Sequence, residues 1–419
     1  MKPQSDQELV LEFCVELSRR MILSGANLER VQLAVERICS TYQFSEISLF
    51  LLSDSLSLSA MDQNGQYAAR QCTIPPAGIH LDRLRSLNRL SYEVAHTKPA
   101  PRLLRQMLLD ASEVKERPDW QIVIAQIVAL SCLCLIFGGN AQEVFCVAIV
   151  AAATHYVMIL AAKPGLNRLV TNALIMWLAT ATAILVMQAG FSSNAPVILI
   201  TVSMLVIPGI PLVNAVRNLL CGNEMNGILQ LAKVFIETMA LAMGIYLALL
   251  MFGLHDELNN AVVATRSSAL LLIPISFLAS AAFGVVFRIP NRDLWRAGLG
   301  GVLTRITLLL LAPLVPSRLF YITAAALVAG LYGEGMATKN HDPSTYFIYP
   351  SILPLIPGVL FYYTLIGVYL GEAVMISANA INCLLTLLGM SIGFVLSSIV
   401  AHYTRKMRFS AWLNSKKPS

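Results

Sequence analysis

The chain has 419 residues, of which 56% are hydrophobic and only 13% are charged, and its mean hydropathy is positive. This composition excludes an assembly of ordinary soluble domains and indicates a polytopic membrane protein. The net charge of +6 does not require a nucleic-acid partner, because most surplus cations lie in short connections between apolar segments and in the tail, where membrane topology explains them.

The first 118 residues are predicted to form a small cytoplasmic α+β domain. Helical patterns cover residues 7–21, 27–39, 81–96 and 102–115, and β-rich runs cover 47–52, 56–61 and 66–74. The sequence Asp-Gln-Asn-Gly at 62–65 predicts a hairpin turn between the last two runs. The first twenty residues lack the apolar core of a cleaved secretory signal, so we expect a cytoplasmic N-terminus.

Ten apolar segments follow, each long enough to cross a hydrocarbon core of about 30 Å as a helix. They cover residues 120–137, 141–162, 169–190, 195–220, 227–252, 269–287, 297–314, 319–336, 347–370 and 373–403. The fold class expected is therefore an all-α polytopic membrane bundle of ten transmembrane helices, preceded by the small α+β soluble domain.

The distribution of basic residues predicts that both termini are cytoplasmic. Only Arg266 and Arg318 fall in predicted external connections. The predicted inner connections and tail carry twelve cations: Lys163, Arg168, Arg217, Arg288, Arg292, Arg296, Lys339, Arg405, Lys406, Arg408, Lys416 and Lys417. The chain is thus expected in the cytoplasmic (inner) membrane as a multi-pass protein.

The membrane region contains an internal duplication with an offset of 149 residues. At this offset Ile-Pro-Gly at 207–209 meets Ile-Pro-Gly at 356–358, and Gly222 and Gly244 meet Gly371 and Gly393. The copies are assigned to residues 119–262 and 263–419. Five spans per copy force opposite orientations in the bilayer, the inverted-repeat arrangement of many secondary transporters.

The two Ile-Pro-Gly motifs predict helix breaks in spans four and nine, at Pro208/Gly209 and Pro357/Gly358. An interrupted helix in hydrocarbon leaves backbone groups unpaired, so breaks persist where protein or a water-filled cavity surrounds them. A matched pair of breaks favours a substrate pathway over ordinary proline kinks, which remain the alternative. Asn214 and Arg217 follow the first break, and Tyr362 and Tyr363 follow the second; such groups suit a small zwitterion.

Further polar side chains lie on one face of span five and on the matching face of span ten. Span five carries Gln230, Lys233 and Glu237, and span ten carries Asn379, Asn382 and Thr386 at the equivalent positions. Lys233 and Glu237 are expected to face the bundle interior and to pair with each other. Two interpretations stay open: a pathway lining in which Glu237 couples proton movement, or an intrahelical salt bridge that only packs spans together.

No catalytic or nucleotide-binding motif of the HExxH, GxSxG, GxxxxGK[ST] or GxGxxG type occurs in the sequence. The eight cysteines lack CxxC spacing, which predicts buried free thiols. We therefore expect neither an enzyme, a cofactor nor a metal site.

Four stretches resemble the threonine/serine exporter family: GANLERV from Gly25, IPPAGIHLDRLRSLNRLSYEV from Ile74, VIPGIPLVNAVRNLLCGNEMNGI from Val206, and PSILPLIPGVLFYYTLIGVYLGE from Pro350. The resemblance implies a soluble domain joined to ten spans, and proton-driven export of threonine and serine. Two-chain relatives imply an alternative, the export of a dicarboxylate such as succinate, for which Lys233 would suit an anionic substrate.

The partners expected are a small amino-acid or dicarboxylate substrate, protons and the lipid bilayer, with no nucleic acid; a homo-oligomer stays open. A hypothesis of another class makes the chain a membrane-anchored sensor whose N-terminal domain binds the ligand or a partner. Deleting residues 1–118 would separate the two, because a self-sufficient transporter should retain some flux.

Overall fold

The computed structural model describes residues 5–52, 55–75, 78–161, 167–191, 194–253, 268–340 and 342–415. The cations Lys163, Arg266, Lys416 and Lys417, and the two central residues of the Pro-Pro-Ala-Gly stretch at 75–78, lie outside the described residues. The chain divides into two compact units. The first comprises Met1–Arg117, Phe287–Asn291 and Gly335–Phe347, and the second comprises Pro118–Val286, Arg292–Glu334 and Ile348–Ser419.

The N-terminal part of the first unit has the predicted α+β composition. Its elements are α1 (Asp6–Leu23), α2 (Leu28–Thr41), β1 (Ser45–Leu52), β2 (Ser55–Met61), β3 (Tyr67–Thr73), α3 (Leu81–Thr97) and α4 (Pro101–Ser112). The strands form an antiparallel sheet in the order β1-β2-β3. At the predicted hairpin turn, the Asp62 carboxylate accepts hydrogen bonds from the backbone N–H groups of Asn64 and Gln66, both at 2.8 Å.

The core of this unit is formed by the apolar faces of its strands and helices. In β2 the side chains of Leu56, Leu58 and Ala60 alternate with serines and are fully buried, as expected of a strand with one face against the core. Helix α1 contacts both β2 and β3. Its start is fixed by a capping box, in which Ser5 and Glu8 bond each other's backbone N–H groups.

Two segments from the second half of the chain complete the first unit. The backbone N–H of Leu81 donates to the carbonyl of Phe287 at 3.0 Å. Asp342 is fully buried at its carboxylate, which accepts from Arg85 Nε at 2.7 Å and lies 3.0 Å from a terminal nitrogen of Arg89. Arg30 donates to the Ser344 hydroxyl at 2.9 Å. The first unit is therefore built from residues far apart in sequence.

The cysteines are free thiols. Six are buried, whereas Cys72 is half-buried and Cys221 is exposed. The predicted burial of the thiols is therefore confirmed for six cysteines and wrong for Cys221. In the first unit the sulfurs of Cys14 and Cys39 lie 3.9 Å apart. The contact with Cys39 and burial together raise the pKa of Cys14, which makes it a poor nucleophile.

The second unit is helical. With the helices that cross between the units, its elements are α5 (Asp119–Ile136), α6 (Ala141–Ala161), α7 (Arg168–Gln188), α8 (Ala195–Ser203), α9 (Gly209–Leu220), α10 (Glu224–Phe252), α11 (Ala269–Val286), α12 (Leu294–Leu311), α13 (Arg318–Asn340), α14 (Thr345–Ser351), α15 (Gly358–Leu370) and α16 (Ala373–Ser415).

Among the described residues, eight helices are long and apolar enough to cross a membrane. A ninth candidate span is the pair formed by Thr345–Ser351 and Leu353–Val368, which is bent by 44°. The apolar segment 195–220, expected as span four, consists of two shorter helices, α8 and α9. The chain is therefore a multi-pass membrane protein.

Two isolated polar residues of the spans have partners inside the second unit. A ring nitrogen of His155 lies 2.8 Å from the side-chain oxygen of Gln126, so α5 and α6 share a buried polar contact. Arg305 Nε donates to the Ser276 hydroxyl of α11 at 2.9 Å. Both contacts are of the kind that fixes helix packing.

Candidate functional site

The helix breaks occur at the predicted motifs and share one backbone conformation. Pro208 has φ −77° and ψ 62°, and Pro357 has φ −79° and ψ 42°. In each case the following glycine donates back to the isoleucine carbonyl at 2.8 Å, which closes a tight γ-type turn. Each helix then restarts at its glycine, as α9 at Gly209 and as α15 at Gly358.

The two breaks lie directly against each other. A methyl group added to Gly209 would be 2.7 Å from Cγ2 of Ile356, and one added to Gly358 would be 2.0 Å from the sulfur of Met204. Ile356 belongs to the second break, and Met204 directly follows α8 at the first. Real Cβ contacts are longer than 3.0 Å, so Gly209 has no room for a side chain unless Ile356 moves, whereas the flexible end of Met204 could move away from a methyl group at position 358.

The starts of α9 and α15 therefore meet at this crossing. The first-turn bonds are alike, with Leu212 N–H donating to the Pro208 carbonyl at 3.0 Å and Phe361 N–H donating to the Pro357 carbonyl at 2.9 Å. Neither helix has a side-chain cap on its N-terminus. Uncapped N–H groups and the positive ends of two helix dipoles favour a negatively charged group at this point.

Polar side chains that follow the first break connect α9 to its neighbours. Asn214 donates to the Tyr349 hydroxyl of α14 at 3.1 Å. Arg217 donates to the Ser398 hydroxyl of α16 at 3.2 Å. These contacts link the first broken helix to two elements of the second half.

The two tyrosines that follow the second break are buried. Tyr362 is 1% exposed, and its hydroxyl has no hydrogen-bond partner within the described residues. The Tyr363 ring packs edge-on against it at a centroid distance of 5.7 Å. A buried hydroxyl without a partner is rare, and it leaves a polar group available to a ligand or a water molecule.

The predicted pairing of Lys233 with Glu237 is wrong. The Glu237 side chain is 9% exposed, and its carboxylate lies 3.1 Å from Nε of Arg168 at the start of α7. Lys233 is exposed on the surface of the chain, and Gln230 accepts a hydrogen bond from Asn218 at 3.0 Å. The spacing of four residues showed only that the two side chains share a face; α7 packs there and provides the nearer cation.

The polar trio of α16 is satisfied by its own helix. The side chains of Asn379, Asn382 and Thr386 donate to the carbonyls four residues earlier, at 2.9, 2.9 and 2.8 Å. Thr386 also accepts a hydrogen bond of 3.5 Å from Arg318 at the start of α13. The amide oxygens of the asparagines and the hydroxyl of Thr386 thus remain acceptors.

Sequence reasoning missed Arg168, Tyr349 and Ser398, which bind predicted site residues. The 149-residue offset carried a signal for Arg168, because Arg318 lies almost at the equivalent position of the second copy. No sequence pattern indicated Tyr349 or Ser398. In the described part of the chain, no group of three or more His, Cys, Asp or Glu residues is placed to hold a metal ion.

The first unit contains a cavity of about 550 Å³ between α1, β3 and α4. Its wall includes the cations Arg20, Arg70, Arg102 and Arg105 above apolar side chains such as Phe13. Glu12 and Glu16 also line it, so the cavity carries both signs of charge. The sensor hypothesis would place its ligand here.

Comparison with known proteins gives two family matches and two curated relatives. Residues 12–252 match the family described as "Putative threonine/serine exporter", and residues 273–400 match "Threonine/Serine exporter, ThrE". A protein of Klebsiella aerogenes named "Probable succinate transporter subunit YjjP" is 20% identical over 262 residues, which cover 60% of this chain and 97% of the relative. Its namesake in Escherichia coli is 22% identical over 259 residues, 59% of this chain and 97% of the relative. No solved structure matches the chain.

Proposed function

The chain belongs to the threonine/serine exporter family, and we propose on that premise that it is a secondary active transporter of threonine and serine. It exports them across the cytoplasmic membrane in exchange for protons, by alternating access around the two helix breaks. The observation that carries the proposal is the contact of the breaks, Gly209 against Ile356 and Gly358 against Met204. The family and the relatives are transporters and not enzymes.

The helix bounds support an internal duplication of five spans. The starts of α9 and α15 are 149 residues apart, as are those of α10 and α16. The starts of α5 and α11, of α7 and α13, and of α8 and α14 are 150 residues apart. With α8–α9 and α14–α15 each counted as one interrupted span, the chain has ten spans. An odd number per copy gives inverted repeats and places both termini in the cytoplasm.

In this proposal the crossing of the breaks is the centre of the solute pathway. The uncapped starts of α9 and α15 attract the solute carboxylate, and the free hydroxyl of Tyr362 offers a hydrogen bond to its polar groups. Rocking of one repeat against the other exposes the crossing to each side in turn.

A dicarboxylate is the second candidate substrate, because both relatives are named as succinate transporter subunits. The test is counterflow of labelled threonine, serine and succinate into liposomes that contain the full chain under an imposed pH gradient. Threonine or serine flux supports the first proposal, and succinate flux alone supports the dicarboxylate. If none of the three moves, the transporter proposal is wrong.

Replacing both break prolines, Pro208→Ala together with Pro357→Ala, is expected to abolish counterflow. Alanine restores a helical N–H and removes the fixed φ, so the two breaks can straighten. The matched control is Pro274→Ala, which changes a proline inside α11 away from either break, and it should retain flux. Equal flux in the double variant and the control would contradict a role for the breaks.

Glu237→Gln tests the proton-coupling role. We expect counterflow to persist without dependence on the pH gradient, because glutamine cannot carry the proton. Arg168→Gln is the matched control, since it breaks the same ion pair but retains the carboxylate; gradient dependence should survive there. Loss of gradient dependence in both variants would show that the ion pair only holds α7 and α10 together.

A further inference from the structure

Two helix pairs in the second unit pack through equivalent contacts. A methyl group added to Gly244 of α10 would be 2.2 Å from the Ala173 carbonyl oxygen of α7. One added to Gly393 of α16 would be 2.6 Å from the Thr323 carbonyl oxygen of α13. The glycines are 149 residues apart and their partners are 150 apart. The pair α7–α10 therefore corresponds to the pair α13–α16. The offset between the two copies is one residue longer for α7 and α13 than for α10 and α16.

An arginine at the start of α7 and one at the start of α13 continue this correspondence. Arg168 contacts Glu237 at 3.1 Å, and Arg318 donates to Thr386 at 3.5 Å. On α10 and α16, Glu237 and Thr386 are 149 residues apart, like the two glycines. On α7 and α13 the two arginines are 150 residues apart, like Ala173 and Thr323. Both arginines thus reach the equivalent position on the neighbouring helix.

The two positions differ in charge. Arg168 faces a carboxylate, whereas Arg318 faces a hydroxyl that already donates to the Asn382 carbonyl at 2.8 Å. Among the described residues, no acidic side chain lies within ion-pair distance of Arg318, which is half-buried. A guanidinium has five N–H donors in a fork that matches a carboxylate, so one long bond to a hydroxyl leaves most of them unused.

Membrane topology does not account for this cation. Arg318 is one of only two basic residues in the predicted external connections, where the positive-inside rule disfavours them. Thr386 accepts from Arg318, and one turn earlier the amide oxygen of Asn382 is a further acceptor on the same side of α16. A cation beside two acceptors matches the carboxylate and the ammonium or hydroxyl groups of a small amino acid.

We propose that Arg318 binds a carboxylate of the transported solute at a stage of transport when the solute is away from the crossing of the breaks. It does so at the position that Glu237 occupies in the first half of the chain. The proposal rests on the transport function and adds a solute-binding residue to it. The ligand class is a small carboxylate, either an amino acid or a dicarboxylate. The Thr386 hydroxyl carries no charge and cannot neutralise Arg318, so the solute provides the negative charge at this position.

The experiment uses the purified full chain and two readouts, the KM of counterflow and the shift in unfolding temperature on adding threonine, serine, succinate or threonine methyl ester. Wild-type protein should be stabilised by its carboxylate substrate and not by the ester. Arg318→Gln should raise the KM by about ten- to a hundredfold, as expected for one charge-assisted bidentate contact. Arg318→Lys should recover part of the affinity.

Thr386→Glu provides a second variant that should remain folded. It recreates the ion pair of the first half, so the unfolding temperature without ligand should not fall, while the response to carboxylates should disappear. Arg292→Gln, which removes a cation whose side chain is 68% exposed, controls for the loss of one charge. Threonine or serine acting in these assays identifies an amino-acid substrate, and succinate alone identifies a dicarboxylate.

Unchanged KM and unchanged stabilisation in Arg318→Gln would overturn the proposal while leaving the transport function intact. A Thr386→Glu variant that still responds to carboxylates would overturn it as well. If the wild-type chain neither transports nor is stabilised by any of these solutes, the proposed function itself fails and this inference fails with it.

Discussion

Gly209→Val is expected to lower counterflow by roughly five- to 150-fold while the chain still folds and inserts. The first added carbon would lie 2.7 Å from Cγ2 of Ile356, and valine adds two more methyl groups at the same point. Ile356 is β-branched and restricted at χ1, so it cannot swing aside as an unbranched side chain can. Overpacking of this kind costs about 1–3 kcal/mol, and about 1.4 kcal/mol corresponds to a tenfold change in rate.

Three variants make this prediction specific to the crossing of the breaks. Gly358→Ala should have a weaker effect, because its methyl group meets the flexible end of Met204. Gly209→Ala combined with Ile356→Ala should transport better than Gly209→Ala alone. Gly335→Val, at a helical glycine with nothing within 4 Å of the added carbon, should behave as wild type. Wild-type flux in Gly209→Val would mean that the two breaks need not touch during transport.

The breaks could be found from sequence because two independent signals coincide there. Proline removes a helical donor, and glycine permits close approach, so Pro208 and Gly209 mark a break by local chemistry alone. The repetition at Pro357 and Gly358 then identified the pair. The helices of the first unit follow from apolar periodicity and those of the second unit from the length of their apolar segments, since both signals depend on residues close together in the chain.

The contacts of charged residues could not be predicted with the same rules. Spacing placed Lys233 and Glu237 on one helix face, but the partner of Glu237 is Arg168, which only the packing of α7 against α10 brings close. Likewise, Asp342 lies in a short polar connection, and no local pattern relates it to Arg85, 257 residues earlier. Long-range pairing depends on how elements pack, which periodicity does not encode.

The composition of the first unit also changes how the sensor hypothesis should be tested. Deleting residues 1–118 would remove Arg85, Arg89 and Arg30 and would expose residues 342–347, which are buried. Loss of transport in such a deletion would report unfolding of that segment as well as loss of a ligand site. Single substitutions in the first unit avoid this ambiguity.

Asp342→Ala is expected to destabilise the first unit by about 3–5 kcal/mol, the cost of removing one partner from a buried ion pair. Its carboxylate is fully buried, and the Arg85 side chain, which is 7% exposed, would lose the carboxylate that lies 2.7 Å from its Nε. The Arg85 guanidinium also lies 5.2 Å from the centre of the buried Tyr346 ring, so it cannot turn to water without disturbing that packing. Pulse proteolysis of the full chain at increasing urea concentrations measures the change in the free energy of unfolding of the first unit. The readout is the loss of the N-terminal fragment.

Glu8→Gln is the matched control, because it breaks an ion pair in the same unit whose side chains are 41% and 38% exposed. Exposed pairs contribute about 0–1 kcal/mol, so the control should unfold at nearly the wild-type urea concentration. Equal midpoints for Asp342→Ala and Glu8→Gln would contradict a structural role for the Asp342 contact. A large difference would show that the Asp342 contact with Arg85 and Arg89 makes a connection between two predicted spans an integral part of the first unit.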